Sequence, residues 1–256
     1  MQAAELTPSI AAARMRKEKP LEIRDAVDLL KLVEKHELEG EPVVFRGQSH
    51  DWPLVPEIGR LPFLVQGQGY HDWYSFEDHL LDKFRKYSYP YLGTRSHSDW
   101  EWLYIARHYG LPTRLLDWTT NPLKALFFAV ANFRHDKQDS VLWAIEMKAW
   151  HESLERQDRR TLRDMTLVYP SHINERIVAQ DACFTAFPLP RKGGQFKPAQ
   201  QERLVRRSLK IRIPAGVRRK LRIQLAGLGF SHRTIFPGLD GVVASIRQHF
   251  GEGWLE

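Results

Sequence analysis

SVLWAIEM, residues 140–147, is the run that decides the fold. Apolar, β-branched and aromatic side chains fill it, with no Gly or Pro, so it reads as a central strand. Immediately upstream, residues 123–133 (LKALFFAVANF) are nearly all apolar and read as a helix that must be buried. DWTTNP, 117–122, precedes it and fits an N-terminal cap with Pro at the first helical position. Further back, Ser98 caps a helix through Trp102, Leu103, Ile105 and Ala106 that stops at Gly110. Phe76, Leu80, Leu81, Phe84, Tyr87 and Tyr91 give 73–92 helical spacing, whereas 50–70 is loop-like. Val43, Val44 and Phe45 form a short buried strand, and 21–38 a helix with Asp25 and Asp28 near its front.

Downstream, 148–172 is polar and reads as an excursion over the surface. Strands are expected at 184–188 and 209–213, and helices at 215–226 and 239–250. Strands and helices do not alternate regularly. The expected class is therefore α+β, a mixed or antiparallel central sheet packed with helices, rather than a doubly wound sheet. Residues 1–20 read as a poorly ordered leader and 21–256 as a single domain.

Composition narrows the chemistry. The one cysteine, Cys183, allows no internal disulfide and no cysteine zinc cage. His50, His71, His79, His97 and His108 lack the HExxH spacing, so no metal is expected. No Walker loop, GxGxxG fingerprint or GxSxG elbow is present. No apolar run reaches the ~18–20 residues of a membrane span, and the first twenty residues lack signal-peptide order. The chain thus reads as cytoplasmic, without a membrane partner.

The net charge of +7 makes a polyanion plausible as a partner. The candidate surface is a basic strip of Arg206, Arg207, Lys210, Arg212, Arg218, Arg219 and Arg222, which suits nucleic acid or an acidic protein partner such as an antitoxin. A solvated face with no partner reads equally well.

Two groups could carry chemistry. In FRGQS, 45–49, the apolar strand delivers Arg46, Gly47 and Gln48 to the mouth of a cleft. There a guanidinium suits phosphate, and glycine lets the backbone approach a ligand. A buried ion pair of Arg46 with Asp117 is the competing reading. In ARHYGLPTRLLDWTTNP, 106–122, Arg107, His108, Tyr109, Thr113, Arg114, Asp117, Trp118 and Thr119 gather at helix ends and turns, where orphan N–H groups favour anions. The competing reading makes Asp117 a helix cap, Trp118 a core anchor and His108 a satisfied helix end.

FRGQS, then AxHYGLPTRLLDWTTNPLxALFFA, then RIVAQDACF at 176–184 resemble the FRG domain family from about residue 22 to 250. The family pattern tends to carry Gly two residues after Gln180, where this chain has Ala182, which implies ordinary backbone angles there. A weaker resemblance is to ADP-ribosyltransferases of the Arg-Ser-Glu type. Their NAD site begins with aromatic-Arg-Gly at a strand end, continues on a strand bearing Ser or Thr, and ends on a strand preceded by Glu. It implies a similar fold, with NAD as cofactor. Phe45-Arg46-Gly47 would open the site, Thr113 or Thr119 fill its middle, and Gln180, or Glu175 upstream, stand for the Glu.

On that resemblance Arg46 grips the pyrophosphate or a ribose, Tyr109 or Trp118 stacks on nicotinamide, and Gln180 or Glu175 orients the ribose. His108 or Asp117 takes a proton. The function implied is an ADP-ribosyltransferase-like enzyme, a toxin or anti-phage effector, acting on nucleic acid or protein. The alternatives are a non-catalytic nucleotide- or nucleic-acid-binding module and a nuclease with His108 as base.

Overall fold

The computed structural model describes residues 21–38, 42–61, 69–92, 97–170, 175–191 and 194–250. The expected leader, 1–20, lies outside them. Eight strands form one mixed sheet: β1 (Leu21–Glu22), β2 (Val43–Gln48), β3 (Leu115–Thr119), β4 (Ser140–Met147), β5 (Trp150–His151), β6 (Thr166–Val168), β7 (Ala182–Ala186) and β8 (Val205–Ile213). The spatial order is β1-β8-β4-β2-β3-β7-β6-β5. The outer pairs β1–β8 and β5–β6 are parallel and every other pair is antiparallel. The α+β class with a mixed sheet is therefore what the chain adopts.

Helices α1 (Ala26–Lys35), α2 (Trp73–Leu92), α3 (Asp99–His108), α4 (Pro122–Val130), α5 (Glu175–Ala179), α6 (Arg218–Gly227), α7 (His232–Ile235) and α8 (Leu239–Phe250) complete the described chain. Their ends follow local chemistry. Ser98 and Glu101 form a reciprocal capping box on α3, and Gly110, at φ 83°, turns the chain just past its end. Asn121, rather than Asp117, caps α4, its carboxamide accepting from the amides of Leu123 and Lys124.

Apolar residues on the two faces of the sheet feed separate cores. Phe45, Leu142, Ala144, Ile211 and Ile213 pack outward against α1, α4 and α6. Val44, Leu116, Trp118, Val141, Trp143, Ile145 and Cys183 meet inside the curl of the sheet. Leu115, Phe184 and Ala186 face outward under α2 and α3. Gly47 belongs to this architecture: a Cβ on it would lie 1.8 Å from the Ala125 carbonyl oxygen and 2.6 Å from the Ala129 amide nitrogen, so glycine lets α4 lie directly on β2.

Three sequence expectations need correction. Residues 115–119 form a strand, because they find a full partner in β7. The stretch 148–172 is not purely superficial, since Leu154, Met165, Leu167 and Val168 are fully buried and β6 is part of the sheet. Arg218 and Arg222 do not line a surface face. Both are buried, Arg218 donating to the carbonyls of Ser49, Asn132, His135 and Gln138, and Arg222 to that of Val130 and the carboxylate of Asp136.

Candidate functional site

The sheet has a seam. β2 pairs with β4 along its whole length and β3 does the same with β7, yet β2 and β3 share only Phe45 opposite Thr119. Beyond that pair the strands part, and β3 carbonyls lose their ladder partners. Arg46 enters the gap, its Nη1 donating to the Asp117 carbonyl at 2.6 Å and lying 3.7 Å from the Asp117 carboxylate. A side chain thus replaces a missing ladder bond.

Over the seam, between α3, α4 and α5, lies a cavity of about 410 Å³, within the range of about 300–1,000 Å³ typical of small-molecule sites. Alternation along β3 turns Asp117 and Thr119 toward it and sends the Trp118 indole to the opposite face, where Nε1 donates to Thr185 at 2.9 Å. Arg107, in the last turn of α3, grips Asp117 in a fork, Nε at 3.1 Å from both oxygens and Nη2 at 2.6 Å from one. Its Nη1 donates to Glu57. The Asp117 side chain nevertheless keeps 40% of its surface exposed, so this is an ion pair open to the cavity, not one sealed in the core.

Electrostatics follow from this packing. Burial would raise the Asp117 carboxyl, but Arg107 and Arg46 outweigh it and hold it below the usual range. Burial pushes Arg46 down to about 10 against the opposing pull of Asp117. Arg107 goes the other way: burial disfavours its charge, but Asp117 and Glu57 carry it above its ordinary value. Burial, and then the charge of Arg176, lower His108, so its imidazole is neutral at pH 7. Burial raises the Tyr104 hydroxyl, which makes no hydrogen bond among the described residues; the Tyr104 ring stacks on Phe184 at 5.5 Å.

The third wall comes from α5 and the turn into β7. Gln180 lines the cavity. Its Nε2 donates to the Ile235 carbonyl at 3.1 Å and its own carbonyl accepts from the Thr119 hydroxyl at 2.7 Å. Asp181 carries the left-handed backbone of this turn, φ 44°, so Ala182 keeps ordinary angles as the sequence implied. A second cavity of about 370 Å³ adjoins the first and shares Arg46, Gly47 and Phe128 with it.

Residues 41–138 match the family model described as the FRG domain. The chain carries an FRG domain. No curated protein and no solved structure matches the chain. The match is shorter than the 22–250 over which the motifs resemble the family. Within it the FRG domain supplies Arg46, Glu57, Arg107, His108, Asp117 and Thr119 to the cavity, while Arg176, Gln180 and Phe184 come from beyond residue 138.

Of the residues singled out in the sequence, Arg46, Gly47, His108, Asp117, Thr119 and Gln180 converge on this cavity. Glu175 is exposed and outside its lining, as is Tyr109. Thr113 is buried elsewhere, and Arg114 is wholly buried against Glu77, with its Nε and Nη2 at 2.8 and 2.5 Å from the two carboxylate oxygens. The absent Cβ of Gly47 faces α4, although the residue lines both cavities, and Gln48 borders the second cavity.

The sequence grouped Arg107 with the candidate residues but gave it no role, and it did not assign Glu57, Tyr104 or Arg176 to the site. For Arg176 a signal existed: it stands four residues before Gln180, on the same side of a helical turn. Outside the cavity the basic strip is largely matched. Arg206 and Arg207 meet Glu146 at 2.9 and 3.2 Å, Lys210 meets Asp51, and Arg212 meets Glu22 and Asp139 at 2.5 and 2.7 Å. Arg219 is exposed. Among the described residues no cluster of His, Cys, Asp or Glu could hold a metal ion, and no helix is long and apolar enough to cross a membrane.

Proposed function

We propose that the seam cavity binds NAD and that the chain is an ADP-ribosyltransferase-like enzyme. One observation carries this reading. Three strands that bear the separated motifs, β2 carrying Phe45-Arg46-Gly47 before its last residue, β3 ending at Thr119 and β7 preceded by Gln180, are consecutive in the sheet. Their motif residues line one cavity. Thr119, not the remote Thr113, takes the middle part.

NAD supplies an ADP-ribosyl group, and the bond that breaks joins its ribose to nicotinamide. Gln180 has its Nε2 engaged by Ile235, leaving Oε1 to accept from a ribose hydroxyl. His108 is the better base of the two candidates: it is neutral, whereas Asp117 is fixed as an anion between two guanidiniums. Phe128, Phe184 and Tyr104 provide the aromatic wall; Tyr109 lies outside the lining, and Trp118 borders it with its indole turned away to Thr185. Protein or nucleic acid is the acceptor class in this reading, and an effector role, in toxicity or phage defence, goes with it. Glutamine in place of a glutamate also suits the second reading, a nucleotide-binding module without turnover.

The test is nicotinamide release and transfer of labelled ADP-ribose to protein, RNA and DNA, with His108→Ala as the comparison. Wild type is expected to transfer label and His108→Ala to lose about 10²–10⁴-fold. Activity should hold on the acid side to a pH below the ordinary histidine value of about 6.5, because the lowered His108 stays unprotonated there. Folded wild type that neither binds NAD nor releases nicotinamide with any acceptor sinks the reading; binding without turnover selects the module.

A further inference from the structure

Three guanidiniums and two carboxylates line the main cavity. The carboxylates are already engaged, Asp117 by Arg107 and Arg46, and Glu57 by Arg107. Arg176 is left over. Among the described residues its guanidinium has no hydrogen bond and no ion pair, and its aromatic contact is the ring of Phe236, 4.7 Å from Cζ to the centroid. Asp117 and then Asp240 act on its charge from a distance, without a bonded contact, and Asp181, on the β7 side, is held by Lys124 at 2.6 Å. A guanidinium stacked on an aromatic face keeps its edge N–H groups free, in the planar fork that matches a phosphate bidentately.

Arg46 is placed differently. Its Nη1 is spent on the Asp117 carbonyl, and its Nε is buried without a partner. Arg46 lines the cavity too, but a ligand that took its fork would compete with the bond that closes the seam. We propose that Arg176, rather than Arg46, binds the phosphate of the ligand, and that Arg46 is a positioning residue for Asp117. The identity of the ligand rests on the NAD reading above; the anion site itself does not. Arg176 and Gln180 stand one turn apart, joined by the Gln180 amide to the Arg176 carbonyl at 3.0 Å, and four residues of helix rise about 6 Å. A phosphate on Arg176 therefore leaves its attached ribose within reach of Gln180.

Calorimetry with nicotinamide mononucleotide, nicotinamide riboside and inorganic pyrophosphate, on wild type, Arg176→Gln and Arg176→Lys, tests this. The expected result is a loss of about 10- to 100-fold for the mononucleotide in Arg176→Gln, a smaller loss in Arg176→Lys, and little change for the riboside, which has no phosphate. Arg176→Gln binding the mononucleotide as tightly as wild type overturns the proposal and leaves the NAD reading standing. Pyrophosphate bound through Arg176, with NAD and the mononucleotide both refused, upholds the anion site and rejects NAD. Wild type that binds no phosphate compound overturns both. Should Arg176→Gln melt below wild type, the Arg176→Lys ratio of mononucleotide to riboside affinity decides.

Discussion

Replacing Gly47 with alanine asks whether this glycine serves the ligand or the fold. The added Cβ would stand 1.8 Å from the carbonyl oxygen of Ala125 and 2.6 Å from the amide nitrogen of Ala129. Both are main-chain atoms of α4, so no side chain can swing aside; the helix must retreat by more than an ångström. Overpacking costs about 1–3 kcal/mol, occasionally more, and a clash with helix backbone belongs at the upper end, about 3 kcal/mol. For a chain of this size that corresponds to a fall in melting temperature of roughly 6–12 °C. Urea unfolding followed by tryptophan fluorescence measures it directly. The retreat also carries Phe128 away from the cavity it lines, so ligand affinity should fall together with stability. A variant within about 0.5 kcal/mol of wild type, the scatter of neutral surface substitutions, would refute the packing argument. If it also lost ligand affinity, glycine would be there for the ligand after all.

Glu77→Ala should cost about 3–5 kcal/mol in urea unfolding, because it strands the fully buried Arg114 and takes from Arg159 one of its three carboxylates, leaving Asp78 and Asp99; a loss under 1 kcal/mol would sink that account. Arg218→Ala should cost about 2–3 kcal/mol through its orphaned carbonyls, whereas Arg219→Ala on the exposed side should stay within about 0.5 kcal/mol. Equal effects of the two on stability would contradict the burial difference. Asp117 titrates below its ordinary value in the folded chain, so the unfolded chain takes up the proton first as pH falls. Its stabilisation is present above pH of about 4 and lost below it. An Asp117→Asn variant should therefore show a shallower acid loss of melting temperature than wild type, and parallel profiles would speak against the lowered value.

What the sequence made legible was local. SVLWAIEM carries its burial in its own side chains, and the Ser98 box, Gly110 and Asn121-Pro122 announce helix ends within a few residues. Strand β3 escaped because LLDWT is short and has a carboxylate at its centre; its strand state comes from β7, more than sixty residues away, and its charge is answered by Arg107 on another element. For the same reason β6 hid in a polar stretch. Arg218 looked superficial because its neighbours are basic, while the carbonyls that bury it lie on segments near residues 49 and 132–138. The site was partly readable, since Arg46, His108, Asp117 and Gln180 do converge. Which arginine remains uncommitted depends on pairings that no spacing reveals.

The single Phe45–Thr119 pair divides the sheet into two four-stranded halves, β1-β8-β4-β2 and β3-β7-β6-β5. Each half is laced by its own ladder, but between them runs a fold line with one stitch. Past that stitch the halves share the apolar core around Val44, Leu116, Trp118 and Cys183, and on the cavity side they are joined by Arg46 on Asp117, with Arg107 on Asp117 and Glu57 above. The cavity rim is therefore the part of this fold line where charged contacts stand in place of main-chain ladders. Salt, or the charge of an entering ligand, acts on these contacts and leaves the ladders on either side untouched.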